Sequence, residues 1–248
     1  MASSGGVQQR LPSRLDPPIG FAHRGAKAHA PENTIEAFQL ALRLGATGLE
    51  SDVWLTAEGI PVLVHDGALR RGLRKRPISS IGVDELPPHI PRLVELLDTC
   101  GTDYQLSLDA KSPDSARAIV EVIAQHSPDM VQRTWVCEKQ FERAADVASW
   151  NSGIQVLQTT RLDKISEGPE RRADRLKRAG IDGINMHRTD WNGGLVALVH
   201  RFELYAFGWD MQQEHELRAG IRMGLDAVYS DDVDVLEMAM RAELSTGE

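Results

Sequence analysis

From residue 19 to the end of the chain, short apolar runs alternate with stretches of helical period. That alternation restricts the fold to βα units, in which each strand is followed by a helix that covers the sheet. Strands are expected at 19–23, 48–55, 60–65, 104–109, 134–138, 154–158, 182–186, 204–209 and 227–230. Nine is one too many for a closed (β/α)8 barrel. The surplus has a local explanation. Between 48 and 65 the only turn signal is Ala57-Glu58-Gly59, and the gap is too short for a crossover helix, so these two runs form an antiparallel hairpin. A turn centred between Glu58 and Gly59 puts His65 opposite Asp52. Eight strands remain, and 248 residues is the usual length of a single (β/α)8 TIM barrel, an α/β fold.

The first helix is well marked: Asn33 as cap, Glu36 completing a capping box, Ile35, Phe38, Ala41 and Leu42 as the apolar stripe, Gly45 at the end. Similar stripes occur at 114–125, 140–149, 170–179, 214–223 and 233–243. Residues 67–91 combine Arg70, Arg71, Arg74, Lys75 and Arg76 with four prolines and read as a surface loop without a core of its own. Residues 1–18, rich in Ser, Gly, Pro and Arg and lacking an apolar central stretch, read as a disordered tail before a domain at 19–248.

Composition narrows the partners. A net charge of −8 provides no long-range field to gather nucleic acid or an anionic membrane surface, so an anionic small-molecule substrate needs a local positive centre. No run approaches the ~20 apolar residues of a membrane helix, which excludes stable membrane insertion. Cys100 and Cys137, far apart in apolar surroundings, read as reduced buried thiols and favour a cytoplasmic setting.

Chemistry gathers where strands should end. Alternate side chains of a strand share a face, so Glu50 and Asp52 point the same way, and Asp109 repeats the pattern at the end of Leu106-Ser107-Leu108-Asp109. Three carboxylates without a nearby cysteine make an oxygen-rich seat for one divalent cation, Mg2+ or Ca2+ rather than zinc. Lys111 then contacts phosphate or forms an ion pair with Asp109. His23 ends the first strand just before Arg24-Gly25, and His65 ends the hairpin arm. A lone histidine is more often a hydrogen-bonded structural group, but two beside three acids point to acid/base work. Of the other histidines, only His187 follows a strand closely enough to reach the mouth.

Four linked motifs, Ala22-His23-Arg24-Gly25, Pro31-Glu32-Asn33-Thr34, Gly48-Leu49-Glu50-Ser51-Asp52-Val53 and Val64-His65-Asp66, resemble the glycerophosphodiester phosphodiesterase family. The likeness continues more loosely through Leu108-Asp109-Ala110-Lys111, Trp209 and Tyr229-Ser230-Asp231. It implies a TIM barrel that hydrolyses glycerophosphodiesters to an alcohol and sn-glycerol 3-phosphate with one divalent cation. Carried onto this chain, the metal ligands are Glu50, Asp52 and Asp109, the catalytic pair His23 and His65, and the phosphate contacts Arg24 and Lys111. Trp209 is either a wall on which substrate stacks or part of the core.

Three departures stand out. The third ligand is Asp109 where this family usually has Glu. Residues 67–91 are too short for the subdomain that many bacterial members insert, so no large inserted subdomain is expected. The family's Trp-Thr pair is Trp209-Asp210 here, an added acid that suits a cationic head group such as choline. Competing readings are a lysophospholipase D or phospholipase C-like enzyme on lipid phosphodiesters, a non-catalytic phosphodiester-binding barrel, and an enolase-type enzyme. The last would not supply the linked His-Arg-Gly and His-Asp motifs.

Overall fold

The computed structural model describes residues 10–71 and 74–245, with only the backbone of Arg71. Among the described residues eleven strands run in chain order: β1 (Ile19–Ala22), β2 (Gly48–Leu55), β3 (Pro61–Leu63), β4 (Ala68–Arg71), β5 (Arg74–Pro77), β6 (Gln105–Ala110), β7 (Thr134–Glu138), β8 (Gln155–Thr160), β9 (Gly183–His187), β10 (Tyr205–Trp209) and β11 (Ala227–Ser230). Eight of them, β1, β2 and β6 to β11, pair in parallel and close on themselves through the β1–β2 and β1–β11 ladders. The helices α1 (Ile35–Arg43), α2 (Leu93–Cys100), α3 (Ser115–His126), α4 (Phe141–Ser149), α5 (Pro169–Arg178), α6 (Gly193–Arg201), α7 (Glu214–Arg222) and α8 (Val233–Leu244) follow the barrel strands. This is the expected (β/α)8 barrel with a hairpin after its second strand and no large inserted subdomain.

Strand alternation makes two cores. Ile19, Phe21, Trp135, Cys137, Leu157, Phe207, Ala227 and Tyr229 fill the barrel interior, with the Phe21 and Tyr229 rings stacked at 4.7 Å. The other face, including Leu49, Leu106, Leu108, Val136 and Val228, packs under the helices. Gly48 is required by the first core: a Cβ there would lie 2.4 Å from the Phe21 ring. Truncating a ring as buried as Phe21 to alanine costs about 3–5 kcal/mol.

Several local expectations are corrected. The cap of α1 is Thr34, whose side chain accepts from Ala37 N, and Asn33 instead sits in the left-handed region at φ 57°. The β2–β3 hairpin pairs Val53 with Leu63, so Val64, not His65, lies opposite Asp52, with Val64 N donating to Asp52 O at 3.0 Å. Thr56, whose amide donates to Ile60 O, closes the turn one residue tighter than expected. Residues 67–91 are not a coreless loop: β4 and β5 form a second hairpin, and Val62, Ile78 and Ile90 bury a small apolar cluster beneath it. The α2 and α6 segments were not anticipated; each is short, and α6 opens on Gly193-Gly194, which hides its period.

Residues 10–18 differ from a disordered tail. Leu11 N donates to Arg222 O at 2.8 Å, and Ser13 Oγ and the Arg14 and Leu15 amides donate to Asp226, strapping the segment across the floor. Residues 1–9 lie outside the described residues. Cys137 is buried and Cys100 half-buried, and neither forms a disulfide. Among the described residues no helix is long and apolar enough to cross a membrane.

Candidate active site

At the carboxyl ends of the strands a cavity of about 300 Å3 is lined by His23, Arg24, Glu50, Asp52, His65, Asp109 and Lys111, among others. The barrel register explains the convergence. Glu50 and Asp52 face inward on β2, Asp52 pairs with Asp109 across the β2–β6 ladder, and Phe21 one step below points His23 into the same opening. The site residues expected on metal, acid/base and phosphate therefore come together, and Trp209 closes the opposite wall.

Glu50, Asp52 and Asp109 can bring one oxygen each within 4.8 Å of one another, a spacing a single cation can bridge. Glu50 is underserved by protein: its Oε2 accepts the Arg24 amide at 2.9 Å and lies 3.7 Å from His23 Nε2. Burial pushes its carboxyl up to about 8 despite the attraction of His23, and Asp52 and Asp109 push the same way. Burial alone would raise Asp52 too, but Lys111 and Arg24 outweigh it and hold this carboxyl below its ordinary value. Lys111 Nζ bridges Asp52 at 2.6 Å and Asp109 at 2.8 Å, so the expected ion pair with Asp109 is formed and extends to Asp52. Arg24 Nε lies 3.1 Å from Asp52, an ion contact without the alignment of a hydrogen bond, and its Nη1 donates to Glu32 at 3.0 Å.

The loop that presents Arg24 depends on two left-handed residues, Arg24 at φ 55° and Gly25 at φ 78°. A Cβ on Gly25 would come within 2.8 Å of Ala37, so only glycine lets this turn lie against α1.

The two histidines are held differently. His23 Nδ1 is 2.5 Å from Asp231 Oδ1, and Asp231 also meets Lys27 at 3.3 Å. Burial opposes the charge on His23, yet Glu50 and Asp231 raise its basicity above the ordinary value. Asp231 itself, partly buried but bonded to His23 and Lys27, falls to about 2. His65 is 43% exposed, with Nδ1 3.0 Å from Asp66, and lines the cavity just past the last cross-strand bond, from Val64 N to Asp52 O.

A family model, the glycerophosphoryl diester phosphodiesterase family, matches residues 23–235. The chain belongs to that family. A glycerophosphodiester phosphodiesterase of Caldanaerobacter subterraneus is 23% identical over 249 residues, spanning 87% of this chain and 95% of that protein. Glycerophosphodiester phosphodiesterase 1 of Homo sapiens is 52% identical over 51 residues, 21% of this chain and 15% of that protein. Among solved folds, the glycerophosphodiester phosphodiesterase of Thermotoga maritima superposes with a TM-score of 0.77 at 22% identity, covering 89% of this chain and 97% of that one. An Oleispira antarctica phosphodiesterase in complex with the product sn-glycerol-3-phosphate gives 0.79 at 23% identity, covering 90% and 96%.

Within this phosphodiesterase fold, sequence reasoning missed Asp231 and Asn33 as parts of the site. Asp231 continues the inward alternation of Ala227 and Tyr229 on the last strand, a signal that was available. Asn33 is buried, its Nδ2 donates to Asp52 at 3.3 Å and its Oδ1 accepts from Ser51 at 2.7 Å. Its resemblance to a helix cap concealed this use. Asp210 accepts from His187 Nε2 at 2.9 Å and from Gln212 Nε2 at 3.3 Å, so its charge is already engaged. His187 is therefore spent in the wall, edge-on to Trp209 at 4.6 Å.

Proposed function

We propose that this chain hydrolyses glycerophosphodiesters to an alcohol and sn-glycerol 3-phosphate, with Glu50, Asp52 and Asp109 holding one divalent cation and His23 and His65 exchanging protons. The observation that carries the reading is the meeting of both imidazoles, Arg24, Lys111 and three carboxylates on one cavity at the strand ends. The barrel and its floor strap together make the catalytic domain, 19–248 preceded by residues 10–18. The all-oxygen donor set suits Mg2+ or Ca2+, and the raised Glu50 is what a carboxylate cluster built for a cation becomes without one. The cation, when bound, offsets the growing charge on the phosphoryl oxygens.

This chain's own groups supply the rest. Arg24 and Lys111, with Lys139 also on the cavity, are cations that a phosphodiester oxygen can meet. Asp231 fixes His23 through Nδ1 and leaves Nε2 turned to the site, so His23 takes the proton from the glycerol hydroxyl beside the phosphate. That oxygen attacks phosphorus, the bond to the alcohol breaks, and His65 at the solvent edge protonates the departing oxygen. Water then opens the cyclic phosphate with the proton transfers reversed. Trp209, whose Nε1 is buried without a hydrogen-bond partner, and Asn185, whose Oδ1 is likewise unpartnered, line the wall available to the substrate. The two unpaired thiols suit a reducing, cytoplasmic compartment.

The test is turnover of glycerophosphocholine, glycerophosphoethanolamine, glycerophosphoglycerol and lysophosphatidylcholine by metal-stripped protein restored with Mg2+ or Ca2+. Activity on the first three that returns with metal, and falls at least about a hundredfold in His23→Ala and in His65→Ala, supports the assignment. Turnover of lysophosphatidylcholine alone would transfer it to lipid diesters, and binding without turnover would leave a phosphodiester-binding barrel.

A further inference from the structure

The function just proposed makes no use of the second hairpin. From residue 67 to residue 83 the chain has five basic residues and no acidic one, in a protein whose net charge is −8. Arg76 is paired with Glu85 at 2.7 Å. Arg70, Arg74 and Lys75 are exposed and make no ion pair among the described residues. The register sets Arg70 directly opposite Lys75. Like charges facing each other across a ladder are destabilising, and a two-stranded ribbon is marginal to begin with. An anion laid over this face would relieve that repulsion.

We propose that the β4–β5 hairpin docks on an anionic lipid bilayer and holds the catalytic mouth against phospholipid headgroups. Two features favour a bilayer over a polynucleotide. Half-buried Trp54, Val64, Leu69 and Leu86 surround the apolar cluster at the hairpin's base, and cationic tips above apolar and aromatic side chains are the pattern of interfacial segments. The cations also occupy one short ribbon on an otherwise acidic protein. A flat surface can touch such a ribbon alone, whereas a long polyanion would run on into like charge. The ribbon is rooted at the site: Ile78 N donates to Gly67 O at 2.9 Å, Trp54 Nε1 donates to His65 O at 3.2 Å, and His65 lines the cavity. A headgroup layer held there lies beside the opening. Docking itself needs no turnover, so it stands apart from the diesterase reading.

The full chain should co-sediment with phosphatidylcholine vesicles containing phosphatidylglycerol, not with phosphatidylcholine alone, and salt should weaken the binding. Combined Arg70→Gln, Arg74→Gln and Lys75→Gln should lower vesicle affinity about 100-fold, roughly fivefold per cation, with hydrolysis of a soluble diester unchanged. Combined Arg70→Lys and Arg74→Lys, which keep the charge, should bind as the parent does. The proposal is overturned if the parent ignores phosphatidylglycerol vesicles at low salt, if the glutamine variant binds equally well, if the lysine variant loses binding, or if a single-stranded oligonucleotide binds more tightly than the vesicles.

Discussion

Two carboxylates are buried at opposite ends of the same barrel, and the protein treats them in opposite ways. Asp226, at the floor, is 0% exposed and accepts from Ser13 Oγ, the Arg14, Leu15 and Ala206 amides and His200 Nε2, at 2.6–3.2 Å. Glu50, at the mouth, is 5% exposed and accepts the Arg24 amide, with His23 at 3.7 Å. Burial is the same; satisfaction is not. A carboxylate surrounded by donors is a fastening, whereas one left with two acidic neighbours and few donors stores repulsion that a bound cation relieves.

The largest test of that contrast is Glu50→Gln. It should lower kcat/KM at least about a thousandfold while leaving the metal-free protein as stable as before, or more so. Steady-state kinetics beside thermal melts would read both, and a destabilised variant with normal turnover would erase the distinction. Asp226→Ala should do the converse. Five donors lose their acceptor, so stability should fall by about 3 kcal/mol, roughly 10 °C in Tm, with turnover per folded molecule unchanged.

A smaller effect is expected at Asp231→Asn, which keeps the shape but removes the charge that orients His23. A fall of about 10- to 100-fold in kcat at nearly constant KM marks positioning; a change in KM alone would place the residue on substrate instead.

The smallest effect is a pH slope. Glu50 rises from an ordinary 4.5 to about 8 in the folded chain, so folding favours its protonated form. That contribution is complete below the unfolded value and is lost as pH rises through the folded one; the raised basicity of His23 acts in the same direction above 6.5. Metal-free protein should therefore melt at least about 3 °C lower at pH 8 than at pH 5. Glu50→Gln or a saturating divalent cation should reduce the slope, leaving the part due to His23 and to Glu138, which burial pushes up to about 7, and a Tm that climbs with pH would contradict it.

The barrel was legible because its signal is periodic and repeated: each inward strand position, from Phe21 to Tyr229, could be counted from the last. The same counting exposed Glu50, Asp52, Asp109 and His23. What escaped lies where counting stops. Asn33 has a good cap side chain, but its own left-handed backbone at φ 57° goes with a side chain turned to Asp52 and Ser51, and Thr34 caps in its place. The hairpin register slipped by one because Thr56 pairs with Ile60 and tightens the turn. Asp226 gave no sign of its role, since three of its five donors come from a segment that composition alone assigned to a tail. The basic run was noticed, but nothing local revealed that its cations would face each other across a ladder.

Delivery of His65 by a ribbon outside the barrel has an evolutionary corollary. Gly59 at that ribbon's tip faces open space, where an added Cβ would meet nothing within 4 Å. The turn is held from its other side, where Ala57 N donates to Ile81 O at 3.0 Å and Val83 N to Glu58 Oε2 at 3.2 Å, so a change of length there is absorbed between residues 56 and 83, outside the cylinder. Under the proposed chemistry, the side of the mouth that meets the departing alcohol can then vary in evolution while the residues on β1, β2 and β6 stay fixed.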